Sequence, residues 1–194
     1  MKLRCFAAAV LAAGLGLGCT HGSQSSPPRP GLDTLRAGLV EYDDLERKYL
    51  LTSFLRTLRP EDVPSVIAEV ERHRVGFEAD DVRLWMLAWT RFDGPGAFAM
   101  ATNWPTHWRS TLMQETMWAW GYNDGRAAHA ACKQVEVEEE DFRDKLCSNV
   151  IDGWVESRDG VGAAEYAATV TISRRRGRLA FRIIGNAKRY GPDT

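Results

Sequence analysis

One phrase occurs three times in this chain and limits what it can fold into. A tryptophan is followed four or five residues later by Asp-Gly, and then by an alanine-rich run. The copies are Trp89, Asp93-Gly94 and Ala97; Trp120, Asp124-Gly125 and Ala128; and Trp154, Asp159-Gly160 and Ala163. A phrase returning every 31–34 residues is the signature of a repeat architecture. An aspartate just before an alanine-rich segment is placed to cap a helix, its carboxylate accepting first-turn N–H groups. The glycine after it eases a tight turn, and Pro95 sits where an early-helix proline is tolerated. Each phrase therefore predicts the end of a helix A, a turn and the start of a helix B. In an antiparallel hairpin Trp89 and Ala97 stand at about the same height, so the small side chain leaves room for the indole. Trp120 with Ala128 and Trp154 with Ala163 repeat the pattern. One hairpin cannot bury both faces of its helices, so its neighbours must stack on it. The expectation is an all-α fold, an α-solenoid of antiparallel hairpins with about four repeats and a terminal helix.

The 194 residues are 44% apolar and 26% charged, which suffices for a core of some size, and the formal net charge of −1 implies no general attraction to polyanions. Residues 1–18 read as an export signal: Lys2 and Arg4 lead into an apolar run from Phe6 to Leu17 that is too short to span a bilayer. Residues 19–32 are polar and proline-rich and read as a flexible tether. The domain proper is 33–194. Asp33 is a candidate cap for a long helix with an inward stripe of Leu35, Leu39, Tyr42, Leu45, Tyr49, Phe54 and Leu58. Pro60 opens the next helix and Asp80 caps helix A of the second repeat. Helix B of that repeat runs from about Pro95 to Trp104, and helix B of the third from about Gly125 to Val135. The fourth repeat starts in an acidic cluster. Residues 168–173 read as a helix end and turn, and a last helix starts at Ser173. The chain stops where a fifth helix B would begin, so that helix is either a terminal cap or the edge of a longer solenoid.

Two resemblances extend this reading. The segment Leu15-Gly-Leu17-Gly18-Cys19 resembles a bacterial lipoprotein lipobox, although Gly16 stands where that pattern prefers leucine. It implies lipidation (palmitate and related acyl chains) at Cys19. With Thr20 following, it also implies an exported outer-membrane lipoprotein facing the periplasm. Residues 33–192 resemble the tetratricopeptide, Sel1 and pentatricopeptide group of helical repeats in period and pattern. The tetratricopeptide signature is not matched residue by residue, because the tryptophans here end helix A. Members of that group are usually scaffolds that bind a peptide or protein.

Several residues stand out as site candidates beside a structural explanation. Trp104, Trp108 and Trp118 do not repeat, so they are either binding anchors on a groove or packing between repeats. Arg174, Arg175, Arg176 and Arg178 crowd a helix start, where the dipole disfavours positive charge, and hint at an anionic partner. The cluster Glu136, Glu138, Glu139, Glu140 and Asp141 is best explained as complementing a helix dipole. Cys132 and Cys147 fall on consecutive helices at unequal heights, which leaves a disulfide and two buried thiols equally open. His21, His73, His107 and His129 show no metal-ligand spacing, and no catalytic or cofactor motif is present in the sequence. No metal, cofactor or nucleic acid is expected. The leading expectation is a membrane-tethered scaffold for an envelope protein or peptide. The alternatives are a cell-wall glycan-acting enzyme or its helical accessory domain, and a structural spacer.

Overall fold

The structure, a computed structural model, describes residues 29–73, 78–105, 108–136, 140–157, 159–169 and 173–190; within these, 160, 173–175, 178 and 186–190 are described by their backbone alone. The expected export signal and most of the tether, Cys19 included, lie outside the described residues. All regular structure in the described residues is helical. It comprises α1 (Leu32–Val40), α2 (Asp44–Leu55), a 3-10 turn (Pro60–Asp62), α3 (Val63–His73), α4 (Ala79–Trp89), α5 (Gly94–Asn103), α6 (Arg109–Asn123), α7 (Gly125–Cys132), α8 (Glu140–Glu156), α9 (Gly160–Thr169) and α10 (Ser173–Tyr190).

Three of the boundaries follow from the repeated aspartates. Asp93, Asp124 and Asp159 accept the backbone N–H of Gly96 (2.8 Å), Ala127 (3.0 Å) and Gly162 (2.9 Å), starting α5, α7 and α9. Two other caps differ from expectation. The start of α4 belongs to Asp81, whose carboxylate reaches back to the Glu78 N–H at 3.0 Å, while Asp80 faces Lys48 across 3.6 Å. Asp33 lies inside the first turn of α1, which has no side-chain cap. The single long helix expected from residue 33 is also broken. Glu41 accepts the N–H groups of Tyr42 and Asp43, and Asp43 in turn caps α2 through Glu46 N–H at 2.9 Å. These local side-chain bonds outcompete helix continuation. As a result Tyr42, Leu45 and Tyr49 face outward instead of into the core.

The even-numbered helices pack in chain order, α2 against α4, α4 against α6, α6 against α8 and α8 against α10. Polar bonds between them join residues about one period apart. Arg91 donates to the Leu55 carbonyl at 2.8 Å, and Asn123 donates to the Leu87 carbonyl at 3.0 Å and to the Thr90 hydroxyl at 2.9 Å. A side chain near the end of one helix thus donates to carbonyls in the last turn of the preceding one. At the other end of the same two helices, Arg47 and Asp81 form a buried ion pair between α2 and α4.

Trp120 and Trp154 make a contact that the hairpin expectation did not include. Ala97, Ala128 and Ala163 are buried as foreseen, but the aspartate's glycine neighbour is what seats an indole, and the indole comes from the next repeat. A Cβ added to Gly94 would lie 2.4 Å from the Trp120 ring, and one added to Gly125 would lie 2.1 Å from the Trp154 ring. These glycines are required for close approach and not for an unusual turn.

The tightest packing is between α6 and α8. A Cβ on Gly121 would meet the Val150 carbonyl oxygen at 2.2 Å, and one on Gly153 would meet that of Trp118 at 1.9 Å. Both obstacles are backbone, so neither helix yields without moving as a body. Gly153→Ala is therefore expected to lower stability by about 1–3 kcal/mol by overpacking. Gly185→Ala on α10, where an added Cβ meets nothing within 4 Å, should instead gain up to about 1 kcal/mol from helix propensity. Urea denaturation of both variants checks the opposite signs, and a gain at both positions would contradict the close α6–α8 crossing.

Candidate functional site

A cleft of about 510 Å³ lies where α7, α8, α9 and α10 meet. Its inner wall is built from the repeated phrase. The Asp124 cap starts α7, and His129, one turn on, is turned inward and buried. The His129 ring lies 4.0 Å from that of Tyr166 on α9, centroid to centroid, and Tyr166 stacks at 5.8 Å on Trp154. Trp154 is held by its own repeat: its indole N–H donates to one oxygen of Asp159 at 2.7 Å while the other oxygen caps α9. One aspartate thus fixes both the helix start and the ring behind the cleft.

A disulfide between Cys132, the last residue of α7, and Cys147, midway along α8, closes the adjacent wall with a Cα–Cα distance of 5.4 Å. The height difference that left this bond open presumes a tight turn. In fact α7 ends at Cys132 and α8 begins only at Glu140, and so long a connection frees the relative height of the two helices.

The rim is charged. Lys133, Arg143, Lys145 and Arg182 bring positive charge, and Glu140 and Asp144 bring negative charge. Arg182 is ion-paired with Asp152, and the Lys133 ammonium lies 5.9 Å from the centre of the Tyr166 ring. An aromatic floor under a rim of both signs suits a short polar chain carrying both charges and an apolar or ring-shaped group.

His129 is not set up for proton transfer near neutrality. Burial, and next the nearby Lys133 cation, hold its pKa down to about 4. The unfolded chain takes up a proton near pH 6.5, whereas the folded chain resists until about 4. This group therefore leaves stability unaffected above 6.5 and lowers it progressively as pH falls from 6.5 toward 4. Glu69 contributes in a separate range. Hydrogen bonds from Arg36 (2.7 Å) and Arg72 (2.6 Å) hold its carboxyl down to about 2, so its contribution is present above 4.5 and fades toward 2. His129→Phe should flatten the pH dependence of the urea midpoint between 6.5 and 4 and leave the more acidic range sloped. Parallel profiles for variant and parent would contradict the assignment.

The structure separates the residues that the sequence singled out. Trp104 is buried with its edge toward Trp85 at 6.2 Å, so it offers no anchor to a ligand. Trp108 is half-buried against the core. Trp118 stacks on Tyr122 at 5.7 Å under the Arg83 guanidinium at 4.6 Å, and Arg83 is held by Glu115 at 2.6 Å. These contacts join α4 to α6, so Trp118 packs between those two helices and not in the cleft. Arg174, Arg175, Arg176 and Arg178 lie on α10, as expected for a helix starting at Ser173, and the Arg176 side chain is exposed. Glu138 and Glu139 fall outside the described residues, and Glu140 and Asp141 open α8. His21 and His107 also lie outside them. No group of three or more candidate metal ligands occurs among the described residues.

Of the cleft residues, only Cys147, His129 and Glu140 stood out beforehand, each for another reason. Tyr166 carried a weak signal, as a large aromatic in an alanine-rich helix B, a feature it shares with Phe98. Comparison with protein-family models, with curated proteins and with solved structures returns no match.

Proposed function

We propose that this chain is a membrane-tethered α-solenoid scaffold that uses the cleft between α7 and α10 to hold a peptide or a segment of an envelope protein. The observation that carries the reading is the recurrence of one joint. Trp120 rests on Gly94 and Trp154 on Gly125, with Arg91 and Asn123 bonding back one period, as expected of stacked repeats. The resemblance to tetratricopeptide-like repeats supports the same use, since such stacks present a continuous surface to extended partners. The lipobox-like segment ending at Cys19 supports export and attachment to the outer membrane on its periplasmic side. No helix among the described residues is long and apolar enough to cross a membrane, so in this reading the lipid supplies the attachment.

Two experiments test the parts separately. Metabolic labelling with an alkyne-bearing fatty acid should mark the chain, and Cys19→Ala should abolish the mark; label retained on the alanine variant would sink the tether. Panning a displayed peptide library should return a consensus containing both an acidic and a basic residue. Arg143→Glu together with Lys145→Glu should then lose it. Recovery of no consensus, or one indifferent to those changes, would remove the cleft as the binding site.

A further inference from the structure

The two outermost members of the even-numbered helix series, α2 and α10, each expose apolar side chains, and the segments that carry them are opposite in charge. On α2 the buried side is made by Arg47, Leu51, Phe54 and Leu55. Leu45 and Tyr49, one turn apart on the opposite side, are 82% and 65% exposed, with Tyr42 beside them at 98%. Glu41, Asp43, Asp44 and Glu46 lead into them as an acidic run, and the two basic residues that follow are already paired, Arg47 with Asp81 and Lys48 with Asp80.

On α10 the side turned to α8 and α9 carries Leu179 and Ile183. Phe181 and Ile184 point elsewhere and are 79% and 54% exposed. The helix holds seven of the chain's 25 basic residues and none of its 26 acidic ones, so the rest of the chain is acidic by eight. Each internal even-numbered helix has a preceding and a following neighbour to cover it, whereas α2 lacks the first and α10 lacks the second among the described residues.

We infer that the occupant of both faces is a second copy of this chain, α10 of one copy packing on α2 of the next as a further even-numbered helix would. Both patches are apolar, and the segments that carry them, 41–46 and α10, are opposite in charge, which suits a specific contact. They are also different surfaces, so the contact is head-to-tail and propagates. An anionic membrane would explain the basic helix, but not an acidic apolar patch at the opposite end.

Sedimentation equilibrium of the full chain in density-matched detergent tests this. Average mass should rise with protein concentration and fall when salt is raised from about 0.05 to 0.5 M, because the opposite charges become screened. Leu45→Asp with Tyr49→Asp disables one end, and Phe181→Asp with Ile184→Asp disables the other. Each variant alone should be monomeric, and an equimolar mixture should form a heterodimer that grows no further. That heterodimer would also show that both variants are folded. A wild-type chain that stays monomeric at about 100 µM in low salt would overturn the inference. So would self-association unaffected by the variants, or binding of α10 to phosphatidylglycerol vesicles by a chain that does not self-associate.

Discussion

Trp120→Ala is expected to cost about 3–5 kcal/mol, the range for removing a buried indole from a core that cannot collapse around the gap. The gap cannot close here because the indole lies against the backbone at the start of α5, and Asp93 and Gly96 N–H pin that backbone. The pairing gives a sharper test than the single loss. In the parent, Gly94→Ala should be destabilising, since its Cβ would sit 2.4 Å from the ring. In the Trp120→Ala background the same change should become neutral or favourable, because the methyl group enters space the ring has left. Urea denaturation of the four proteins yields the coupling directly. Additive effects would mean that Trp120 is seated somewhere other than on Gly94, and the contact between α5 and α6 would have to be redrawn.

Asp81→Ala should be of comparable size, about 3–5 kcal/mol, for an electrostatic reason. Asp81 and Arg47 are both buried, so removing the carboxylate leaves the guanidinium's charge in a low-dielectric site without its counter-ion. The substitution also removes the bond that starts α4 at Glu78. Replacing both partners by apolar residues, Arg47→Met with Asp81→Leu, removes the charge along with the need to neutralise it. That double variant should come within about 1–2 kcal/mol of the parent. If it is as unstable as Asp81→Ala, the pair's contribution lies in its hydrogen bonds and not in its charge.

The helices were legible because their signals are local. Asp93, Asp124 and Asp159 cap from three residues away, and Pro105 follows the end of α5. The apolar spacing of Val82, Trp85, Met86 and Trp89 marks the buried side of α4 without reference to any partner. Where local signals competed, the outcome was harder to read. The stripe through Tyr42, Leu45 and Tyr49 has helical spacing, yet Glu41 and Asp43 end one helix and start another there, and the stripe turns outward. The cleft was largely illegible. His129, Lys133, Tyr166 and Arg182 come from three helices, and nothing in their own neighbourhoods shows that they converge.

By itself the sequence determined that this chain is helical, where most of its helices begin, and that one structural phrase recurs with a period near 33. Those properties depend on side-chain–backbone bonds and on apolar spacing within a few residues. Only the tertiary structure decided that Trp120 rests on Gly94 and Trp154 on Gly125, that Cys132 and Cys147 are bonded, and that the outermost even-numbered helices keep apolar side chains uncovered. Such contacts depend on the distance and angle between helices. Those are set by how closely backbones approach at residues such as Gly121 and Gly153, and no short window of sequence contains both partners.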